Sequence, residues 1–371
     1  MTASDSTRLE RVRQELLIRA RVPRHPLQYL TVDQIAPVLA RLESLDREHW
    51  AETFSDGAEP YERAAAEAEA ANDAAAAARQ YLVAYDLYHM ARFPAPNSPG
   101  KLGAYRRAQQ MHRQAVRWLK VDMERVEIPF GGRPGEGRMC VALLRKPSEV
   151  QRPAVLITWG GIDTFKEERE RGADPFLAGG LAMLAIDMPG VGDAPLSGST
   201  DAERLWDPVF DWIESRSDLD ATRVGVLGLS TGGYWATKLA HTRRERIRCA
   251  INHGGPAHFA FQPDWIARAE DGEYLMELSA TLASAFGGAT YDDWVRIAPT
   301  LSLLDLGILD QPCAPLLLWN GVDDTVFPIQ DMHLLLEHGD PKLVRFAPGG
   351  HMGYVAETLP TMLAFLRLHL G

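Results

Sequence analysis

From about residue 123 onward the chain keeps repeating one pattern: a short apolar run that stops at Gly, Pro or a polar residue, then a stretch of helical character. The runs read "AVLITWGG" (154–161), "AMLAIDMPG" (182–190), "RVGVLGLS" (223–230), "CAINHGG" (249–255), "APLLLWNG" (314–321) and "KLVRFAPGG" (342–350). Each has strand length, and unbroken apolarity is what a strand needs when helices cover both of its faces. The alternation therefore predicts an α/β architecture, a mostly parallel doubly wound sheet with function gathered at the carboxyl ends of its strands. Ahead of it, "ERVEIPF" (124–130) and "RMCVALLRK" (138–146) flank the Gly-rich "GGRPGEG" and predict an antiparallel hairpin.

Residues 1–120 read differently, with helical signals throughout. Leu9, Val12 and Leu16 recur at helical spacing, and "TVDQ" at 31–34 has the form of a capping box ahead of Ile35, Val38, Leu39 and Leu42. The Ala-rich stretch from 62 to 93 predicts one long packed helix. "PAPNSPGKLG" (94–103) breaks the pattern, and an amphipathic helix follows with Tyr105, Ala108, Met111, Ala115, Val116 and Leu119 on a common side. The expected organisation is a helical, lid-forming domain over 1–120 and an α/β domain over 121–371. Within the second, 256–312 is longer than one crossover needs and is expected to be a helical cap insertion.

A net charge of −11 on 371 residues argues against nucleic acid or an anionic membrane as the main partner and leaves a small-molecule substrate as the expected one. The charged N-terminal stretch "MTASDSTRLERVRQELL" has no apolar core of a signal peptide, and no run approaches the ~18 apolar residues of a membrane span. A cytoplasmic location is expected. Cys140, Cys249 and Cys313 lack paired spacing and read as small buried hydrophobes; no metal and no cofactor are expected.

Gly228-Leu229-Ser230-Thr231-Gly232 has the form G-x-S-x-G between a predicted strand and a predicted helix. The glycines are needed because side chains two positions either side of the serine would collide with the neighbouring strand and helix. A phosphate loop would require a Lys after its last Gly, where Gly233 and Tyr234 stand. A serine needs a base, and the base an acid that sets its tautomer. Asp324 follows the strand ending at Gly321, and His351 sits in the Gly-rich loop after "VRFAP", so Ser, Asp and His appear in the order of an α/β-hydrolase triad. Asp324 is preferred over Asp323 on its Gly-x-x-Asp spacing and the later Pro328. Thr231 N–H, at a helix start, and the N–H of Gly161 or Ile162 are the expected oxyanion donors. Asp163, Lys166 and Glu167 orient this loop or simply begin a helix; Asp187 reads as structural. His253 and His258 read as structural or pocket residues, and His241, His333 and His338 as solvated.

With the triad, "PAVLITWGGIDTFKEE", "AIDMPGVGD" and "GGHMGY" assembled, the chain resembles the α/β-hydrolases. Within them it is similar to the subgroup with a helical N-terminal domain that includes 2,6-dihydroxypseudooxynicotine hydrolases, Ayg1-type polyketide-shortening hydrolases and FrsA-like proteins. The resemblance implies hydrolysis next to a carbonyl, including carbon–carbon bonds of β-diketone- or polyketide-like compounds. It also implies, for some members, an extra acidic residue after the strand that follows the nucleophile; here that segment, "GGPAHFAFQPDW", has no carboxylate before Asp264. The other readings are a carboxylesterase or thioesterase and, outside enzymes, a binding or regulatory protein. Tyr81, Tyr85, Tyr88 and Trp265 are candidate pocket aromatics that ordinary helix packing would equally explain. Oligomeric state stays open, a homodimer through the helical front being one option.

Overall fold

The computed structural model describes residues 3–371; Met1 and Thr2, the first residues of the charged N-terminal stretch, lie outside them. The chain forms two compact units, Met1–Asp122 and Met123–Gly371.

The first unit is helical: α1 (Ala3–Arg21), α2 (Val32–Arg41), α3 (Arg47–Ala70), α4 (Ala74–Arg92) and α5 (Pro99–Leu119). At the start of α2 the Gln34 side chain accepts the Thr31 N–H at 2.8 Å, and Ile35, Val38, Leu39 and Leu42 are buried. The Ala-rich stretch is two helices rather than one. Asn72 takes a left-handed conformation at φ 57°, and the Asp73 side chain caps the Ala76 N–H at 3.0 Å, so α3 stops and α4 begins. Asn and Asp do this because their short side chains bond nearby backbone instead of continuing a helix. Every residue of α4 from Val83 to Arg92 is buried. α5 begins under a Ser98 cap rather than beyond Gly103, and Leu119, its last residue, is exposed rather than on the packed side.

The second unit is built on one eight-stranded sheet in the order β1-β2-β4-β3-β5-β6-β7-β8. The strands are β1 (Glu124–Pro129), β2 (Met139–Arg145), β3 (Ala154–Trp159), β4 (Ala182–Ile186), β5 (Asp220–Leu229), β6 (Cys249–His253), β7 (Leu316–Gly321) and β8 (Lys342–Ala347). β1 and β2 pair antiparallel and β2 runs antiparallel to β4, while β4, β3, β5, β6, β7 and β8 are mutually parallel. Every residue of β3, β4, β6 and β7 is buried, whereas β1 and β8, at the sheet's edges, keep exposed positions.

Helices α6 (Lys166–Arg171), α7 (Asp174–Ala178), α8 (Asp207–Ser215), α9 (Thr231–Thr242), α10 (Pro263–Ala269), α11 (Leu278–Ala285), α12 (Tyr291–Ile297), α13 (Ile329–Leu336) and α14 (Thr358–Leu370) complete the unit. On one face Leu156, Leu227, Ile251 and Leu317 pack with Phe176 and with Met362, Phe365, Leu366 and Leu370 of α14. α10, α11 and α12, with three single-turn helices, make up 256–312. Among the described residues no helix is long and apolar enough to cross a membrane.

Chain order sets the location of the site. After β3 the chain moves to β4 on one side, then crosses back to β5 on the other, leaving the carboxyl ends of β3 and β5 adjacent, with Trp159 opposite Gly228. The two connections diverge at this edge, the usual ligand position in such sheets. Gly161 and Ser230 both lie there.

Candidate active site

The turn from β5 into α9 is too tight for side chains at its ends. A Cβ on Gly228 would lie 2.1 Å from the Gly232 carbonyl oxygen, and one on Gly232 would lie 2.3 Å from the Gly160 oxygen. Trp159 closes the same corner, donating its indole N–H to the Gly232 carbonyl at 2.8 Å. Between them Ser230 has φ 53° and ψ −131°, a conformation that costs a non-glycine residue about 1–3 kcal/mol and persists only where neighbours enforce it. Its N–H is held by the His253 carbonyl at 2.8 Å, and its carbonyl by the Gly233 N–H at 2.7 Å. The strain turns Oγ away from the strand and leaves Thr231 as the first residue of α9. A first-turn N–H has no carbonyl behind it within the helix, and the helix dipole adds positive potential there.

Ser230 Oγ stands 2.7 Å from His351 Nε2, and His351 Nδ1 stands 2.8 Å from Asp324 Oδ2. A carboxylate offers only acceptors, so Nδ1 carries the ring proton and Nε2 is the lone pair that accepts from the serine hydroxyl. The sheet register brings them together: Gly321 pairs with Ala347, so the loops beyond both strands leave the same edge. Asp324 is buried and fully used, Oδ1 accepting Val326 and Phe327 N–H at 2.7 and 3.0 Å and Oδ2 also accepting Asn320 Nδ2 at 2.8 Å. Asp323 is exposed. Burial alone would lower the His351 pKa; the charge and hydrogen bond of Asp324, then the charges of Glu273 and Asp163, outweigh it and hold the group above the ordinary histidine value.

The loop after β3 closes on the serine. A Cβ on Gly161 would lie 2.9 Å from Ser230 Cβ and 3.2 Å from Oγ, so only glycine lets this backbone approach. Ile162 is buried beside it. The loop is braced on both sides. Asp163 accepts the Tyr274 hydroxyl at 2.8 Å, and buried Lys166 bonds Asp187 and Asp193 at 2.8 and 2.7 Å while its N–H also reaches Asp187. Burial pushes the Asp187 carboxyl above the usual carboxylate range, with Lys166 opposing. Asp187 thus ties two loops together, the structural part read from sequence.

Other residues singled out from the sequence sit as follows. His253 donates Nε2–H to the Met352 carbonyl at 2.7 Å, and burial holds its pKa down to about 3, so it stays neutral. His258 Nδ1 meets Ser302 Oγ at 2.7 Å. His241 is buried rather than solvated: Nδ1 meets the Gln311 carbonyl at 2.8 Å, and burial lowers its pKa to about 4. Polar neighbours in sequence do not make a residue exposed once the chain folds. His333 is exposed. The Tyr81 and Tyr88 hydroxyls donate to Glu69 and Glu62 at 2.6 and 2.8 Å, and the Tyr85 ring packs 5.5 Å from His112. Trp265 donates its indole N–H to the Val326 carbonyl at 3.0 Å. All three cysteines are buried and unpaired. Among the described residues no group of three or more His, Cys, Asp or Glu is placed to hold a metal.

Four residues around the site carried no sequence signal. Asn320 spans the acid and base loops, giving Nδ2–H to Asp324 and accepting Met352 N–H at 3.0 Å. Asp331, fully buried, accepts the N–H groups of His258, Phe259 and Ala260 at 2.9, 2.7 and 3.2 Å. Glu273 and Tyr274 reach the loops of His351 and Gly161. Only the position of Asn320 at a strand's carboxyl end could have drawn notice.

The family model described as "Esterase FrsA-like" matches residues 48–342. The chain is 29% identical over 246 residues to the 20-hydroxy-prefusarin hydrolase of Gibberella moniliformis, covering 62% of this chain and 58% of that protein. It is 25% identical over 194 residues to the esterase FrsA of Photorhabdus laumondii, covering 51% and 45%. The chain thus spans about half the length of these curated relatives. Among solved structures, that of 2,6-dihydroxy-pseudo-oxynicotine hydrolase aligns with a TM-score of 0.74 at 20% identity, covering 92% of this chain and 93% of that one, a likeness of fold. The sheet order, the serine at its switch point and a family match running from α3 into β8 lead to one conclusion: this chain has the α/β-hydrolase fold and belongs to the FrsA-like esterase family.

Proposed function

We propose that this enzyme is a serine hydrolase that cleaves a bond next to a carbonyl in a small molecule, with a carbon–carbon bond of a β-diketone- or polyketide-like compound as its preferred target. The observation that carries the reading is the unbroken chain from Ser230 Oγ through His351 to Asp324, at 2.7 and 2.8 Å, on a strained turn.

In the proposed reaction His351 Nε2 takes the hydroxyl proton as Ser230 Oγ bonds to the carbonyl carbon. The carbonyl π electrons move to oxygen, where Thr231 N–H and the N–H of Gly161 or Ile162 receive the negative charge. Asp324 holds the resulting imidazolium in place. Collapse of the tetrahedral adduct expels the leaving group, and His351 gives it the proton. With an ester this group is an alkoxide; with a β-diketone it is an enolate, whose carbon is protonated. Water then attacks the acyl-serine, His351 takes its proton, and a carboxylic acid is released as Ser230 regains its hydrogen.

Carbon–carbon cleavage draws support from the likeness to the subgroup that includes Ayg1-type hydrolases; the FrsA name supports ester cleavage. Fluorophosphonate labelling followed by peptide mapping tests the nucleophile, with modification expected at Ser230 and modification elsewhere, or none, removing the mechanism. Incubation with aryl esters and with an aryl β-diketone, products identified by mass, tests the bond. Turnover of the esters alone assigns the protein to carboxylesterases.

A further inference from the structure

Glu273 lies in the insertion, between α10 and α11, far in sequence from the proposed triad. Its Oε1 accepts the backbone N–H of His351 at 2.7 Å and the backbone N–H and hydroxyl of Thr325 at 3.3 and 3.4 Å, and its own N–H donates to Thr325 Oγ1 at 2.9 Å. Thr325 is the residue after Asp324. One half-buried carboxylate therefore grips both the loop that carries the acid and the loop that carries the base. Gly350 makes room for it: a Cβ there would lie 2.4 Å from Glu273 Oε2 and 2.5 Å from Oε1.

We infer that Glu273 is a positioning residue of the hydrolase, fixing the spacing of the His351 and Asp324 loops through their backbones and adding negative charge beside the imidazole. This rests on the serine-hydrolase reading. Two consequences are separable. The hydrogen bonds set geometry, on which transfer of the serine proton depends steeply. The charge favours imidazolium, so it moves the pH at which His351 becomes a usable base. Besides Glu273, Asp324 and Asp163 raise the His351 pKa against burial, and His253, which burial first and then His351 and Arg169 push down, is held neutral.

The test is the pH profile of kcat/KM on an aryl ester for the wild type, Glu273→Gln, Glu273→Ala and Ser230→Ala. Glu273→Gln retains an acceptor oxygen and loses the charge; its rising acid limb is expected to move ~0.5 unit toward lower pH with kcat near wild type. Glu273→Ala loses both; the same displacement is expected with kcat down by about tenfold and KM little changed. Asp163→Asn, which removes a second charge from a different loop, should move the limb in the same direction. Rescue of kcat by Gln over Ala separates positioning from general loss of structure, and thermal melts of both variants check the fold. If Ser230→Ala is inactive while the limb and kcat of both Glu273 variants coincide with wild type, this inference fails alone. If Ser230→Ala turns over normally, the serine-hydrolase reading fails and this inference with it.

Discussion

The loops at the carboxyl ends of β3, β5, β7 and β8 and the insertion over 256–312 contribute to the same site by opposite means. The strand-end loops hold the proposed reacting groups on short segments anchored by a buried sheet, and each has a recognisable composition: paired glycines, G-x-S-x-G, Gly-x-x-Asp, Gly-Gly-His. The insertion consists of short helices without a motif, yet it reaches back to the strand-end loops repeatedly. Trp265 bonds Val326, Glu273 bonds Thr325 and His351, Tyr274 bonds Asp163, and its first turn hangs on Asp331. In the proposed mechanism the sheet places the chemistry, and an element whose side chains act mostly on backbone sets its tolerances. Removing a reacting group should therefore abolish turnover, whereas loosening the insertion should degrade it in steps.

The largest effect is expected from Ser230→Ala, a fall in kcat of about three orders of magnitude or more on any substrate turned over by the wild type. A loss under tenfold would mean that the sheet loops do not hold the reacting groups. Asp324→Asn should come next, at roughly 10³-fold, because the amide can no longer hold His351 in the Nδ1–H tautomer. Its kcat/KM profile sharpens the point. The proposed mechanism requires neutral His351, so in the wild type kcat/KM should rise with pH through a value above the ordinary 6.5. In Asp324→Asn the chief raising influence is gone, and the limb should move to lower pH.

On the insertion side, Asp331→Ala leaves three N–H groups without their acceptor and should cost about 2–3 kcal/mol of stability, read by urea denaturation, while the labelled residue remains Ser230. A loss of reactivity with no loss of stability would place Asp331 among the reacting groups instead. The smallest effect is expected from Trp265→Phe, about 1 kcal/mol for one hydrogen bond, with little change in kcat.

The boundary of legibility follows the same division. Ser230, Asp324 and His351 could be picked out because a tight turn demands glycine at fixed offsets and because parallel strands deliver their loops to one edge. The break at Asn72-Asp73 was present in sequence as a turn signal and was masked by the surrounding alanines, whose helix propensity dominates any window average. Burial of His241 had no signal, since a histidine facing a carbonyl across a fold looks locally like one facing water.

Sequence by itself determined the doubly wound sheet, the order of the proposed triad residues and the glycines at Gly228, Gly232 and Gly161, because local sterics and hydrophobic periodicity act over a few residues. Tertiary structure alone decided that Glu273 meets His351 across 78 positions, that Asp331 caps a turn 71–73 positions away, and that Asn320 joins two loops. Such contacts pair side chains with backbone groups that every residue carries, so nothing in the composition of either partner marks them in advance.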